Sequence, residues 1–477
     1  MSSGRTPLSQ SRRNFLQRAA LGTGIAGLLG GSALLAPSRA FAVCEPPGAP
    51  GTAKPWRSDC RPIRPRRPAS TLSAAEITKL KDAYQAMRAL STSDPNDPRG
   101  FTQQANVHCW YCGAGTQVHF SWQFFAWHRA ELYFHERILG KLVNDPEFRL
   151  PYWDWDVATH RRLPGAYVTP NDNTNPLWNG TRAMSPTDEL PEEDVGSDVM
   201  EAALTAGTFA DFGGTATDSG IPELSPHGSV HTDVGGFTGD MSAFSTAGRD
   251  PIFYAHHSNI DKMWSDWIKG GSSHLNPTDP AFLDLTWNFY DENKVWRSIK
   301  ASQVLNHEAQ LRYVYGPSRF SEMLPCIFQW VVVRVPWTFD RAVLLDPKVR
   351  TQLARAVERK LPLRLHIDAP QIPLDKTTTY RVYADPKEAQ ADAGPKSPSY
   401  LGTIPIVLND RDGHNPLKRP PRVVFNVTRR SSYLLSADRP LQLAYVERAA
   451  KGQQKRLQMQ PLKARVVYFS YGEQAGD

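Results

Sequence analysis

The sequence predicts two folded units behind a short targeting segment, a mainly helical one and then a β-sandwich. Three observations predict this. Apolar residues recur at helical spacing early in the chain, the connections there are long and rich in Gly, Pro and Asn, and β-favouring runs replace them after Tyr315-Gly316-Pro317. At 477 residues the chain exceeds one ordinary domain. Its 40% hydrophobic and 10% aromatic content describes a globular chain with a sizeable core, neither disordered nor membrane-embedded. The expected units are a leader over 1–42, a helical unit over 43–320 and a β-rich unit over 321–477.

Taken in order, Ser11-Arg12-Arg13-Asn14-Phe15-Leu16 precedes an apolar, Gly/Ala-rich stretch from Ala19 to Ala36, and Ala40-Phe41-Ala42 offers small residues for cleavage. This resembles a twin-arginine export signal, which implies a bacterial origin and a periplasmic or secreted location. The stretch is too short and glycine-rich for a stable membrane span. A basic, proline-broken run follows at Arg61-Pro-Ile-Arg64-Pro-Arg66-Arg67. With a net charge of +7 spread along the chain and no nucleic-acid motif, it reads as a solvated linker, and no nucleic-acid partner is expected.

Helices are expected from Ser73 to Leu90, where Ser73 and Glu76 form a capping box, from about Phe120 to Leu142, and from Pro251 to Lys269. The β runs are Phe328 to Pro336, Leu361 to Ile367, Thr379 to Tyr383, Tyr400 to Leu408, Arg422 to Val427, Leu441 to Glu447 and Ala464 to Tyr471. Five cysteines (Cys44, Cys60, Cys109, Cys112, Cys326) are an odd number for an exported protein, so at least one has another fate than an internal disulfide.

Two histidine blocks carry the chemistry. The first holds His108, just ahead of the second helix, His119 at its approach and His128 inside it. The second holds His227 and His231, four apart and so on one helical face, then His256 and His257 in a helix opened by Asp250-Pro251. Each block supplies three imidazoles, the donor count that holds an ion and leaves a position open. Any one of these histidines taken singly is as well explained by a buried hydrogen bond or a surface position. Trp110, Trp122, Phe124, Phe125, Trp127 and Trp264 flank them and are expected to exclude water. No carboxylate stands inside the His-x-x-x-His, which points away from hydrolytic zinc and toward a redox pair of copper ions.

These motifs resemble the type-3 copper proteins, the tyrosinase, catechol oxidase and polyphenol oxidase family, and most closely its plant-like polyphenol oxidases. The likeness is carried by His108-Cys-Trp-Tyr-Cys112, Gln117-Val-His119-Phe-Ser-Trp-Gln-Phe-Phe-Ala-Trp-His128-Arg, Leu150-Pro-Tyr-Trp-Asp-Trp-Asp156, Pro226-His227-Gly-Ser-Val-His231 and Asp250-Pro-Ile-Phe-Tyr-Ala-His256-His257. It implies a four-helix bundle around two copper ions, followed by a β-sandwich that shields the entrance until removed. A sandwich that only stabilises or binds a partner is the alternative. The first copper would take His108, His119 and His128, the second His227, His231 and His257, with His256 beside the site.

Cys112 matches the cysteine joined to the second histidine by a thioether, Glu223 a water-ordering acid, and Phe244 an aromatic gate over the second copper. Gly228 stands where monophenol-active relatives carry asparagine, which favours diphenol oxidation over monophenol hydroxylation. Asn259 and Asp261 are expected to support the last helix. The implied activity is oxidation of o-diphenols to o-quinones with oxygen reduced to water, acting on a small phenol and O2, with a copper-delivery protein as a further partner. An o-aminophenol oxidase and a haemocyanin-like oxygen carrier are the alternatives. Cys60 lacks the adjacent cysteine of the plant pattern, so it pairs with Cys44 or Cys109, with Cys326 open to whichever remains.

Overall fold

A computed structural model describes residues 44, 52–58, 61–112, 117–271, 273–316, 328–335, 342–409, 422–448 and 458–474. The leader and the partners Cys60 and Cys326 lie outside them. Cys44 to Asp477 form one compact unit, within which two apolar cores are distinct. The first gathers side chains from Trp56 to Tyr315, and the second gathers those from Val333 onward together with Leu224.

Five helices frame the first core. Helix α1 (Ala74–Ser93) starts at Ser73, whose side chain and that of Glu76 form the expected capping box. Helix α2 (Phe101–Tyr111) contains His108, which the sequence had placed in a connection. Helix α3 (Gln123–Leu142) begins later than expected, because Phe120 takes a left-handed conformation with φ 61° and blocks an earlier start. A short helix α4 (Ser229–Gly235) follows a kink at Ser225, and α5 (Ile252–Lys269) opens on Asp250, whose carboxylate accepts from the Ile252 amide. Helices α3 and α5 are buried on nearly every side, as central helices must be.

Two short strands, β1 (Arg64–Arg66) and β2 (Tyr313–Tyr315), pair in parallel and bring Tyr313 and Tyr315 onto α5. There Asp261 accepts from Tyr315 Oη at 2.7 Å, from Tyr313, from Arg66 at 3.3 Å and from Arg129. Despite burial, which opposes ionisation, Arg129 and Arg66 hold this carboxyl below its usual range. Asp261 is therefore a tie between α3, α5 and the two ends of the helical unit.

All seven β runs appear as strands. One sheet has the order β7 (Val423–Asn426), β4 (Leu363–Asp368), β10 (Val466–Gln474), β3 (Phe328–Arg334), all antiparallel. The other has the order β9 (Gln460–Pro461), β8 (Ala444–Glu447), β5 (Thr378–Tyr383), β6 (Tyr400–Ile406). Leu365 and Phe469 of the first sheet share a core with Val382 and Ile404 of the second. Helix α6 (Pro347–Glu358), capped by Asp346, was not anticipated from the sequence. No helix among the described residues is long and apolar enough to cross a membrane.

Candidate metal centre

Helix α2 supplies His108, the loop before α3 supplies His119, and α3 supplies His128. Their ring centroids lie 5.0–5.7 Å apart. The kinked segment and α4 supply His227 and His231, one helical turn apart, and α5 supplies His256 and His257. The rings of His227, His231 and His257 lie 4.6–5.7 Å apart, and those of His128 and His257, one from each group, stack at 4.3 Å. Helix α3 packed on α5 thus carries both groups into one buried space.

Backbone carbonyls orient the rings. His128 Nδ1 bonds the Phe124 carbonyl at 2.8 Å, His227 Nδ1 that of Glu223 at 2.8 Å, and His231 Nδ1 that of Met241 at 2.9 Å. The carbonyl fixes the proton on Nδ1 and leaves the lone pair on Nε2. His119, His128 and His227 each have a buried Nε2 with no hydrogen-bond partner. Burial pushes every ring well down from the usual range, His128 to about 3 and His231 to about 4, so all are neutral donors at neutral pH. Orphaned, uncharged nitrogens facing one another fit a cation, and imidazole donors suit copper.

His256 joins His227, His231 and His257 within 4.8 Å, so distance alone does not set it apart. Its chemistry does: Trp155 Nε1 donates to His256 Nδ1 at 3.1 Å, which places the ring proton on Nε2. A nitrogen that carries a proton offers no lone pair.

Cys112 is a free, buried thiol 3.8 Å from His119 Nδ1 and equally close to His108 Nδ1. The disulfide joins Cys44 to Cys109, a pairing that leaves Cys60 out and so corrects both alternatives drawn from the sequence. Sequence spacing carries no information on which half-cystines meet. Glu223 is buried, with one oxygen accepting from the Phe120 amide and the other without a partner, and burial raises its carboxyl well above the usual range. Phe244 stacks on His119 at 4.0 Å and stands 5.7–6.0 Å from His231 and His227, between the two groups rather than over the second alone.

Of the expected aromatic wall, Phe124 and Trp127 touch the site rings, whereas Trp110 is 40% exposed on the outer face of α2. Trp264 stacks on Arg129, one layer out. Phe253, 4.2 Å from His257 and 4.6 Å from His108, takes the place the sequence had given to others.

Further residues that the sequence missed come from the β unit. The end of β6 and the chain beyond it run over the site: Pro405 Cγ would lie 3.2 Å from a Cβ on Gly228, and Val407 packs with Cys112 and Phe244. The Leu408 and Asn409 carbonyls accept from the amides of Phe244 and Ser245 at 3.0 and 2.9 Å. Gln117 accepts from His119 Nδ1 at 2.9 Å and donates to Asn409 Oδ1 at 3.0 Å, so this strap is tied to a site imidazole. Nothing local in Ile404-Pro-Ile-Val-Leu-Asn409 marks it as more than a strand end.

Fold and site together define a helical metalloprotein with a histidine-lined dinuclear centre and a β unit across its mouth. A family model of the common central domain of tyrosinase matches residues 98–196 and 169–270, and one of the polyphenol oxidase middle domain matches 276–326. The chain belongs to the tyrosinase and polyphenol oxidase family, whose domain holds two copper ions. It is 35% identical over 332 residues to a latent-form polyphenol oxidase of Prunus armeniaca, covering 61% of this chain and 52% of that protein. Against the structure of the Grenache (Vitis vinifera) polyphenol oxidase it is 33% identical with a TM-score of 0.53, covering 62% of this chain and 97% of the other. The structure of latent apple tyrosinase matches with a TM-score of 0.64 at 25% identity over 88% of this chain and all of that one, 100%. The chain spans about half the length of the curated relatives it matches. These are plant proteins, so a bacterial origin rests on the leader alone.

Proposed function

We propose that this protein is a dicopper oxidase of o-diphenols, held latent by its β unit. His108, His119 and His128 take one copper, and His227, His231 and His257 the other. The observation that carries this is the set of neutral, partnerless ring nitrogens turned into one space, three of their rings aimed by backbone carbonyls. When bound, the copper pair supplies the electron transfer that takes two diphenols to two quinones and one O2 to two waters.

The chain's own residues do the rest. Glu223, fixed at one oxygen by the Phe120 amide, keeps the other free to take a phenolic proton. Phe124 and Phe253 fill the space between the ring groups and keep water out. Gly228 leaves room beside His227 that Pro405 occupies in the latent form. Cys112 lies beside His119, where a thioether would restrain that ring. In the latent enzyme the strap Pro405–Asn409 stands where an incoming phenol would pass. Residues 1–42 act as an export leader, residues 43–320 as the catalytic domain, and residues 321–477 as the shielding sandwich.

Metal analysis with a panel of tyrosine, catechol and o-aminophenol tests the function on full-length protein before and after brief protease or detergent treatment. Two coppers per chain and quinone from catechol, rising on treatment, are expected. Protein that takes up no copper when loaded, or oxygen uptake that never turns over catechol, would sink it.

A further inference from the structure

Glu131 sits on α3 one turn beyond His128 and on the same helical face. Its side chain is buried, and neither carboxyl oxygen has a hydrogen-bond partner. Buried carboxylates are paired, hydrogen-bonded or bound to a metal, because an unsatisfied one bears the full cost of leaving water. One donor atom each of His108, His128 and Glu131 lie within 4.8 Å of one another. The Phe124 carbonyl holds His128 Nδ1, so the free Nε2 is the atom that ring offers to an ion.

His108 belongs to two such groups at once, the other being His108, Cys112 and His119. On that side the Gln117 side chain holds His119 Nδ1 and the Cys112 thiol crowds both rings. The first metal pocket is therefore lined by four oxygen and nitrogen donors, three imidazoles and a carboxylate. Three imidazoles suit copper, while two imidazoles with one carboxylate are the donors of many catalytic zinc sites. A hard carboxylate shifts preference toward zinc, iron(II) and manganese.

Resting on the assignment of His108 and His128 to the first metal, we propose that Glu131 gives this pocket a second donor set, His108–His128–Glu131, that takes a zinc-class divalent cation in competition with copper. The inference deepens the copper assignment: one pocket accepts two metal classes through different third donors. Zinc bound this way leaves His119 unused and blocks copper loading until it is displaced.

The test uses full-length apoprotein prepared by chelation, titrated with Zn²⁺ and, as a coloured stand-in, Co²⁺, in wild type, Glu131→Gln and Glu131→Leu. Copper loading of each protein, measured by elemental analysis, is the control for folding. Both variants are expected to load two coppers, to bind zinc at the first position more than about a hundredfold more weakly, beyond the loss of a merely supporting partner, and to change the Co²⁺ visible spectrum. Unchanged zinc affinity and Co²⁺ spectrum in variants that load two coppers overturn the role of Glu131. A wild type that loads a single copper overturns the first-site assignment itself.

Discussion

At the residue scale, the proposed specificity and latency both turn on Gly228. A side chain there would enter the space beside His227 and press on Pro405, whose Cγ would be 3.2 Å from the new Cβ. Gly228→Asn is expected to raise tyrosine hydroxylation and, by lifting the strap, untreated catechol turnover as well. An assay of both substrates without activation checks this, and a variant as latent as wild type would refute the packing argument. Glu223→Gln keeps the bond from Phe120 but cannot take a proton. It is expected to lower kcat on catechol by roughly 10²-fold with copper content intact. For Cys112, peptide mapping of copper-loaded protein should show a Cys112–His119 crosslink and the loss of two hydrogens; a free thiol in fully active enzyme would exclude the bond.

Among elements, the join between the helical unit and the β unit is an ionic cluster. Arg448 pairs with Glu193, Asp194 and Asp233, while Arg381 pairs with Glu193 and Asp392. Thr403 and Tyr400 of β6, the strand that leads into the strap, donate to Asp194 and Glu193 at 2.8 Å. Removing one partner of a buried charge cluster costs about 3–5 kcal/mol, because the remaining charges stay desolvated. Arg448→Ala should therefore loosen the β unit, raising catechol turnover before protease treatment while the treated enzymes match. Asp261 plays the corresponding part inside the helical unit. Asp261→Asn is expected to destabilise it by a similar amount, read as a lowered Tm with no change in latency.

For the whole molecule, burial of neutral imidazoles sets the response to acid. His135, held between Tyr84 and Gln104, is pushed down by burial to about 3, and His307 by burial and then Arg129 to about 4. Below a pH of about 6.5 the unfolded chain takes up protons that these rings refuse until the folded pKa is reached. Stability is then lost as pH falls from about 6.5 toward 4, at about 1.4 kcal/mol per pH unit for the fully buried ring of His135. The Tm of apoprotein should fall steadily between pH 7 and 5; a flat profile would mean that the folded rings take up protons as readily as the unfolded ones.

The sequence by itself determined the metal chemistry and the fold class. Donor type, i to i+4 spacing and helix caps are local, and Ser73 with Glu76 or Asp250 before α5 act on their nearest neighbours in the chain. All seven β runs were legible for the same reason, since alternation and turn residues are written within each run. Helix α6 escaped because its short, highly charged stretch lies among strand signals. Tertiary structure alone decided what depends on approach between distant segments: that Cys44 meets Cys109, that Trp155 donates to His256 Nδ1, that Phe253 and not Trp110 walls the site, and that residues 405–409 lie across residues 108–257. A contact across 65 residues or more leaves no period or motif in the chain, because it exists only once the distant segments have packed.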